Sequence, residues 1–156
     1  MAKLRVADFY YGSVLSMLFN SHIVPALVEG NEERQIYDLA TNSGDYRLIV
    51  KYRTKSRRGV DSSYRSWHFN FPSEDIEEMM EYIEHNPNML LALICGEEGL
   101  NDSEFAVLNS DDIRHCLGAG KSSLTVSRAK GEKAFRIPVG GRRDNSLKIP
   151  YNRLIE

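Results

Sequence analysis

Arg34–Lys55, RQIYDLATNSGDYRLIVKYRTK, decides how this chain is read. Two runs rich in β-branched and aromatic residues, Gln35–Ala40 and Tyr46–Arg53, flank Asn42-Ser43-Gly44-Asp45. Strand-forming composition on either side of turn-forming residues predicts a β-hairpin. Side chains alternate faces along a strand, so Lys51 shares a face with Ile49 and Arg47. Asp38 stands among Ile36, Tyr37 and Leu39. A carboxylate and an ammonium on adjacent strands form either a structural ion pair or part of a catalytic centre.

Before the hairpin, Ala7–Asn20 carries Val14, Leu15, Leu18 and Phe19 at helical spacing, with Tyr10 or Tyr11 one turn earlier. Asp8 suits the N-terminus of that helix. Gly12 in its middle predicts a close packing contact, since glycine otherwise weakens a helix by up to about 1 kcal/mol. Ile23–Glu29 reads as a strand that Pro25 pushes to an edge or a bulge. After the hairpin, residues 56–65 show no sustained period and read as a loop. Ser66–Phe71 alternates Trp67, Phe69 and Phe71 as a strand would. Ser73, followed by Glu74, Asp75 and Glu77, opens a helix whose stripe is Ile76, Met79, Met80 and Ile83, and Asn86-Pro87-Asn88 ends it.

Met89–Cys95 is short and wholly apolar, the pattern of a central strand buried on both faces. Glu104–Leu108 is the next strand. A short helix opens at Ser110, capped by Asn109 or Ser110, and runs to about Leu117. Ser123–Ser127 and Ala134–Pro138 predict a C-terminal β-hairpin turning at Lys130-Gly131-Glu132, and the tail from Gly140 reads as loop. No internal repeat or low-complexity tract interrupts the chain.

The 156 residues, 42% apolar and 27% charged, match a soluble globular domain. A net charge of -2 supplies no global field toward nucleic acid, so any such contact depends on local patches. One patch gathers Lys51, Arg53, Lys55, Arg57, Arg58 and Arg65 with Tyr64 and Trp67 beside them. A second gathers Lys121, Arg128, Lys130, Lys133 and Arg136. Cations neutralise phosphates and exposed aromatics stack on bases. Arg53, Lys55, Arg57, Arg58, Trp67 and Lys121 are therefore the candidate nucleic-acid contacts.

Several chemistries find no support. Gly118-Ala119-Gly120-Lys121-Ser122 lacks the first glycine of a phosphate-binding loop and comes after a helix rather than a strand. His22, His68, His85 and His115 show no metal-ligand pairing, and Cys95 and Cys116 lack metal-ligand spacing. No Gly-x-Ser-x-Gly or Cys/His signature points to a nucleophile. No apolar signal segment comes after Met1–Val6, and no run approaches the roughly 20 residues that cross a bilayer, so a cytoplasmic protein with no membrane contact is expected.

In order, a helix, three strands with a hairpin, a helix, a buried strand, then another strand and helix resemble the core of the PD-(D/E)XK, or restriction-endonuclease-like, superfamily. In that family an Asp on the second strand and a D/E-x-Lys on the third bind Mg²⁺ and activate water. A further acidic residue often comes from the first helix. Ile36-Tyr37-Asp38-Leu39 resembles the first part of the motif and Tyr46–Lys51 the second. Ser66–Phe71 is similar to the segment after the hairpin in some prokaryotic members. The position two before Lys51, acidic in the family, is Ile49.

The resemblance implies a single-domain α/β protein, a mixed sheet flanked by helices, with a core at about residues 5–117 and a C-terminal hairpin and tail over 118–156. It implies Asp38 and Lys51 as catalytic residues. It also implies Mg²⁺, if the protein is active, held by Asp38 with Asp8 or Glu29, or Asp45, recruited to replace the missing acid. The expected function is a nuclease-related protein that binds or cleaves DNA or RNA, or has lost catalysis. The alternative is a non-enzymatic bacterial or phage interaction protein whose basic segment faces a protein partner.

Overall fold

The computed structural model describes residues 3–31, 33–54, 56–58, 64–97, 100, 102–118, 120–139 and 146–153, with Arg58 described in its backbone only. Lys55 lies outside the described residues.

The hairpin forms from β2 (Gln35–Thr41) and β3 (Gly44–Arg53). It closes on Thr41 opposite Gly44. Gly44 has φ +126°, which a side chain would strain. β1 (Pro25–Gly30) pairs antiparallel with β2 and is the edge of the sheet. A bulge between Leu27 and Glu29 accompanies it, as Pro25 led one to expect. β6 (Met89–Cys95) pairs parallel with β3, and β7 (Glu104–Leu108) antiparallel with β6. The result is a mixed five-stranded sheet of order β1-β2-β3-β6-β7. All seven residues of β6 are buried, because both faces of this sheet are covered.

One face is covered by α1 (Val6–Asn20). Its Tyr10, Tyr11, Val14 and Leu18 pack on Tyr37, Leu39, Leu48, Val50, Leu90, Ala92 and Ile94. Gly12 makes no close contact: a Cβ there would meet nothing within 4 Å, because Gly12 lies on the side of α1 facing away from the sheet.

The other face departs from a plain helical flank. α2 (Ser73–His85) and α3 (Ser110–Cys116) lie over it, together with a second, antiparallel sheet of order β10-β9-β8-β5-β4. That sheet contains β4 (Arg57–Arg58), β5 (Tyr64–Asn70), β8 (Ser123–Ala129), β9 (Ala134–Pro138) and β10 (Ser146–Pro150). The C-terminal hairpin is thus not an appendage. β8 pairs with β5, and Trp67, Phe69, Leu124, Val126, Phe135, Ile137 and Ile149 join Ile36, Ile49, Leu91 and Leu93 in one core. The tail read as loop supplies β10, whose Ile149 is fully buried. α2 begins after Pro72, so Ser73 is its first residue rather than its cap. α3 is capped by Asn109, whose side chain accepts from the Asp112 N–H at 3.0 Å.

Candidate nucleic-acid interface

Strand register decides what the hairpin can do. Asp38 lies opposite Arg47, and Ile36 opposite Ile49. Since Gln35 lies opposite Val50, continuing the register sets Arg34 beside Lys51. Asp38 and Lys51 do share one face of the sheet. Yet Asp38's partner Arg47 stands four residues from Lys51, about 13 Å along the strand. The expected Asp38–Lys51 pair is therefore absent. Asp38 is held instead by Arg47, whose Nε and Nη2 donate to its two carboxylate oxygens at 3.0 and 3.4 Å. Turn length is the cause. A turn over residues 42–45 would have set Asp38 opposite Ile49. The two-residue turn that forms moves it two positions, to Arg47.

The pair in register with the motif's acidic position is Ile36 and Ile49, both buried in the core. Beyond it Lys51 is 9% exposed. Its Nζ donates to the Asn70 carbonyl at 2.9 Å and stands 4.7 Å from the centre of the Phe71 ring. Burial pushes this ammonium below its ordinary pKa, with Arg34 adding to the effect and Asp75 and Glu33 opposing it. Lys51 lines an open cleft of about 580 Å³ with Arg53, Thr54, Asn70 and Ser122 among its other walls. The ends of β3 and β5 and the start of α2 frame this cleft. An ammonium has three donors, and Asn70 takes one.

Arg34 is the residue that sequence reasoning passed over. Its Nη2 lies 3.2 Å from Glu29 and 3.3 Å from Glu78, and its Nη1 lies 2.9 Å from Asp75 at an angle poor for a hydrogen bond. One guanidinium thus ties β1 and the start of β2 to α2. The available signal was the pair Asp75 and Glu78, one turn apart on α2, and Arg34 just before β2, in phase with the buried Ile36.

Of the metal candidates only Asp38 and Asp45 line one cleft, and it is not the cleft of Lys51. Asp8 caps the first turn of α1, accepting from the Arg5 N–H at 2.7 Å, and this bond above all lowers its pKa. α1 lies across the sheet from Asp38, whose face is that of Ile36. Glu29 is bound to Arg34, and Asp38 to Arg47. Asp45 lines a separate cleft with Asp38 and Arg47. Among the described residues no group of three His, Cys, Asp or Glu could hold a metal ion. A hard cation needs several oxygen ligands, whereas the register sets Arg34 beside Lys51 and two isoleucines at the next pair on that face. The described residues beside Lys51 do not fit Mg²⁺.

The basic patches sort into spent and available cations. Arg65 and Arg128 both bind Glu104, and they stack over Trp67 and Tyr151. Arg136 is bound to Glu132 at 2.9 Å. Lys121 is exposed, but its Nζ donates to the Val139 carbonyl at 2.7 Å. Arg53 and Arg57 are exposed, Arg53 on the wall of the Lys51 cleft and Arg57 on the edge strand β4. Trp67 is not a stacking platform. It is buried beneath the second sheet, and its Nε1 donates to the Gly96 carbonyl at 2.8 Å. Both cysteines are buried, and desolvation raises their pKa values, that of Cys116 to about 12, so neither is a nucleophile near neutral pH.

No helix among the described residues is long and apolar enough to cross a membrane. Comparison with known proteins returned no matching family model, curated protein or solved structure.

Proposed function

We propose that this chain is a nuclease-like domain that holds a nucleic-acid backbone in the Lys51 cleft without cutting it. The order α1-β1-β2-β3, then α2-β6-β7-α3, supports the likeness to the restriction-endonuclease-like core, with β4, β5 and β8–β10 as an added sheet. The observation that carries the reading is local. Lys51 remains at an open cleft, while the paired positions before it are the buried Ile36 and Ile49. Metal-assisted hydrolysis needs a cation to generate hydroxide and to neutralise the developing charge. Isoleucine side chains bind neither metal nor water. What remains is an ammonium in a partly desolvated wall, with Arg53, the polar groups of Thr54, Asn70 and Ser122 and one carboxylate, Glu33, around it. The two cations outweigh the Glu33 charge and suit a phosphate oxygen, and one carboxylate is too few to hold a hydrolytic metal ion.

Fluorescence anisotropy with labelled single- and double-stranded DNA and RNA oligonucleotides, titrated across salt, tests the reading. Affinity should fall with salt along a slope set by the few phosphates contacted, and Arg53→Glu should weaken it. Incubation with Mg²⁺ or Mn²⁺ should leave the oligonucleotides intact. Absence of binding at about 50 mM salt, or metal-dependent cutting, overturns the proposal.

A further inference from the structure

α1 buries Ala7, Tyr10, Tyr11, Val14 and Leu18. At 100° per residue, the line facing away from them is Phe9, Gly12, Ser16 and Phe19. Phe9 is 50% and Phe19 57% exposed. A solvated helix normally carries its charges on that side. Here Asp8 is the only charged residue in the helix, and it is held by Arg5.

The apolar surface continues past the end of α1. The chain reverses sharply, the Ile23 N–H donating to the Leu18 carbonyl at 2.9 Å. It then leaves Leu27 and Val28 exposed along the sheet edge, while Val24 turns to the opposite face, where it lines a cleft with Asp38, Arg47 and Tyr82. Leu27 lies opposite Tyr37, which packs beneath α1, so Leu27 is on the α1 side of the sheet.

We propose that this face pairs with the same face of a second copy, α1 lying antiparallel on α1. Positions 9, 12, 16 and 19 are spaced three, four and three apart, a pattern identical in both directions. A twofold axis near residue 14 sets Phe9 of each copy against Phe19 of the other, with Gly12 opposite Ser16. A twofold interface requires this kind of self-complementarity. With Val6, Leu27 and Val28 added, the exposed apolar area is roughly 500 Å² per copy, or about 1,000 Å² for the pair, the least that a specific interface needs. It is also near the upper limit of what a monomer leaves bare. No Lys or Arg occurs from Val6 to Gly30, which argues against an anionic membrane surface as the occupant. Lys51 is on the opposite face of the sheet, so pairing leaves both clefts open and is independent of what they bind.

Sedimentation equilibrium of the full chain from about 1 to 200 μM reads the pairing, with circular dichroism confirming the fold of each variant. The wild type should show a concentration-dependent dimer. Phe9→Lys and Phe19→Glu should each raise the dissociation constant at least about tenfold. The double variant should recover much of the affinity, because Lys at 9 then meets Glu at 19 of the other copy. A wild type that remains monomeric throughout overturns the proposal and leaves the face to a different partner. A dimer indifferent to both substitutions, or single-variant losses that the double variant does not recover, also overturns it.

Discussion

Replacing Lys51 by Met separates a binding cation from a structural one. Methionine keeps the length and the apolar packing of the lysine stem but has no charge. In the folded protein the ammonium makes one charge-assisted bond, to the Asn70 carbonyl. Losing such a bond costs about 1.5–3 kcal/mol. Against this, burial has already lowered the ammonium's pKa, so part of the charge's solvation is missing in the native state and is recovered on substitution. The Asn70 carbonyl lies on an open cleft where water can replace the lost donor. The net change should stay within about 1 kcal/mol, a Tm shift of roughly 2–4 °C for a chain of this size.

pH provides a second reading of the same group. A base whose folded pKa lies below its ordinary value of 10.5 binds protons more weakly in the native state than in the unfolded chain. Stability from this group is therefore lowest below the folded pKa and rises as pH climbs from there toward 10.5. Lys51→Met lacks that rise, so its advantage relative to the wild type should shrink as pH approaches 10.5. In binding, one lost charge-assisted phosphate contact should raise Kd about ten- to a hundredfold and reduce the salt slope by about one. The assays are thermal denaturation across pH and anisotropy across salt. A Tm loss beyond about 10 °C would make Lys51 a structural cation. A wild-type Kd in a fully folded variant would show that the cleft is not the site.

The contacts set three further outcomes. Asp38→Ala removes a carboxylate whose side chain is 53% exposed, so it should cost no more than about 1 kcal/mol and leave oligonucleotide affinity unchanged. A loss above about 3 kcal/mol in chemical denaturation would contradict that placement. Arg34→Leu strands Asp75, whose side chain is 16% exposed, and frees Glu29 and Glu78, and should cost about 2–4 kcal/mol in the same assay. Stability close to wild type would mean that the guanidinium is not the tie between β1, β2 and α2. Gly96→Ala places a methyl against the Arg53 carbonyl oxygen and the Tyr10 hydroxyl, and the Gly96 N–H donates to that same carbonyl. It should destabilise by at least about 2 kcal/mol and speed amide exchange at the ends of β3 and β6, and unchanged exchange would refute the close approach.

Local chemistry by itself determined several elements of this fold. The apolar run Met89–Cys95, the stretch Glu104–Leu108 and the stretch Ala134–Pro138 form strands with the expected bounds. The helix beginning near Ala7 and the edge position of the Pro25 strand also came from periodicity and proline. These features depend on neighbours a few residues apart. Strand pairing does not. A turn two residues shorter than its composition suggested moved Asp38 from Ile49 to Arg47, and the pairing of β5 with β8 buried a tryptophan that looked available for stacking. Ser146–Pro150 becomes a strand only because β9 offers it an edge. Arg34 became a hub only because α2 crosses near β1 and β2. Backbone propensity and hydrophobic period are properties of a short segment. Register, burial of a given face and the partner of a given charge are properties of contacts between distant segments, and those arise only when the two sheets close on one core.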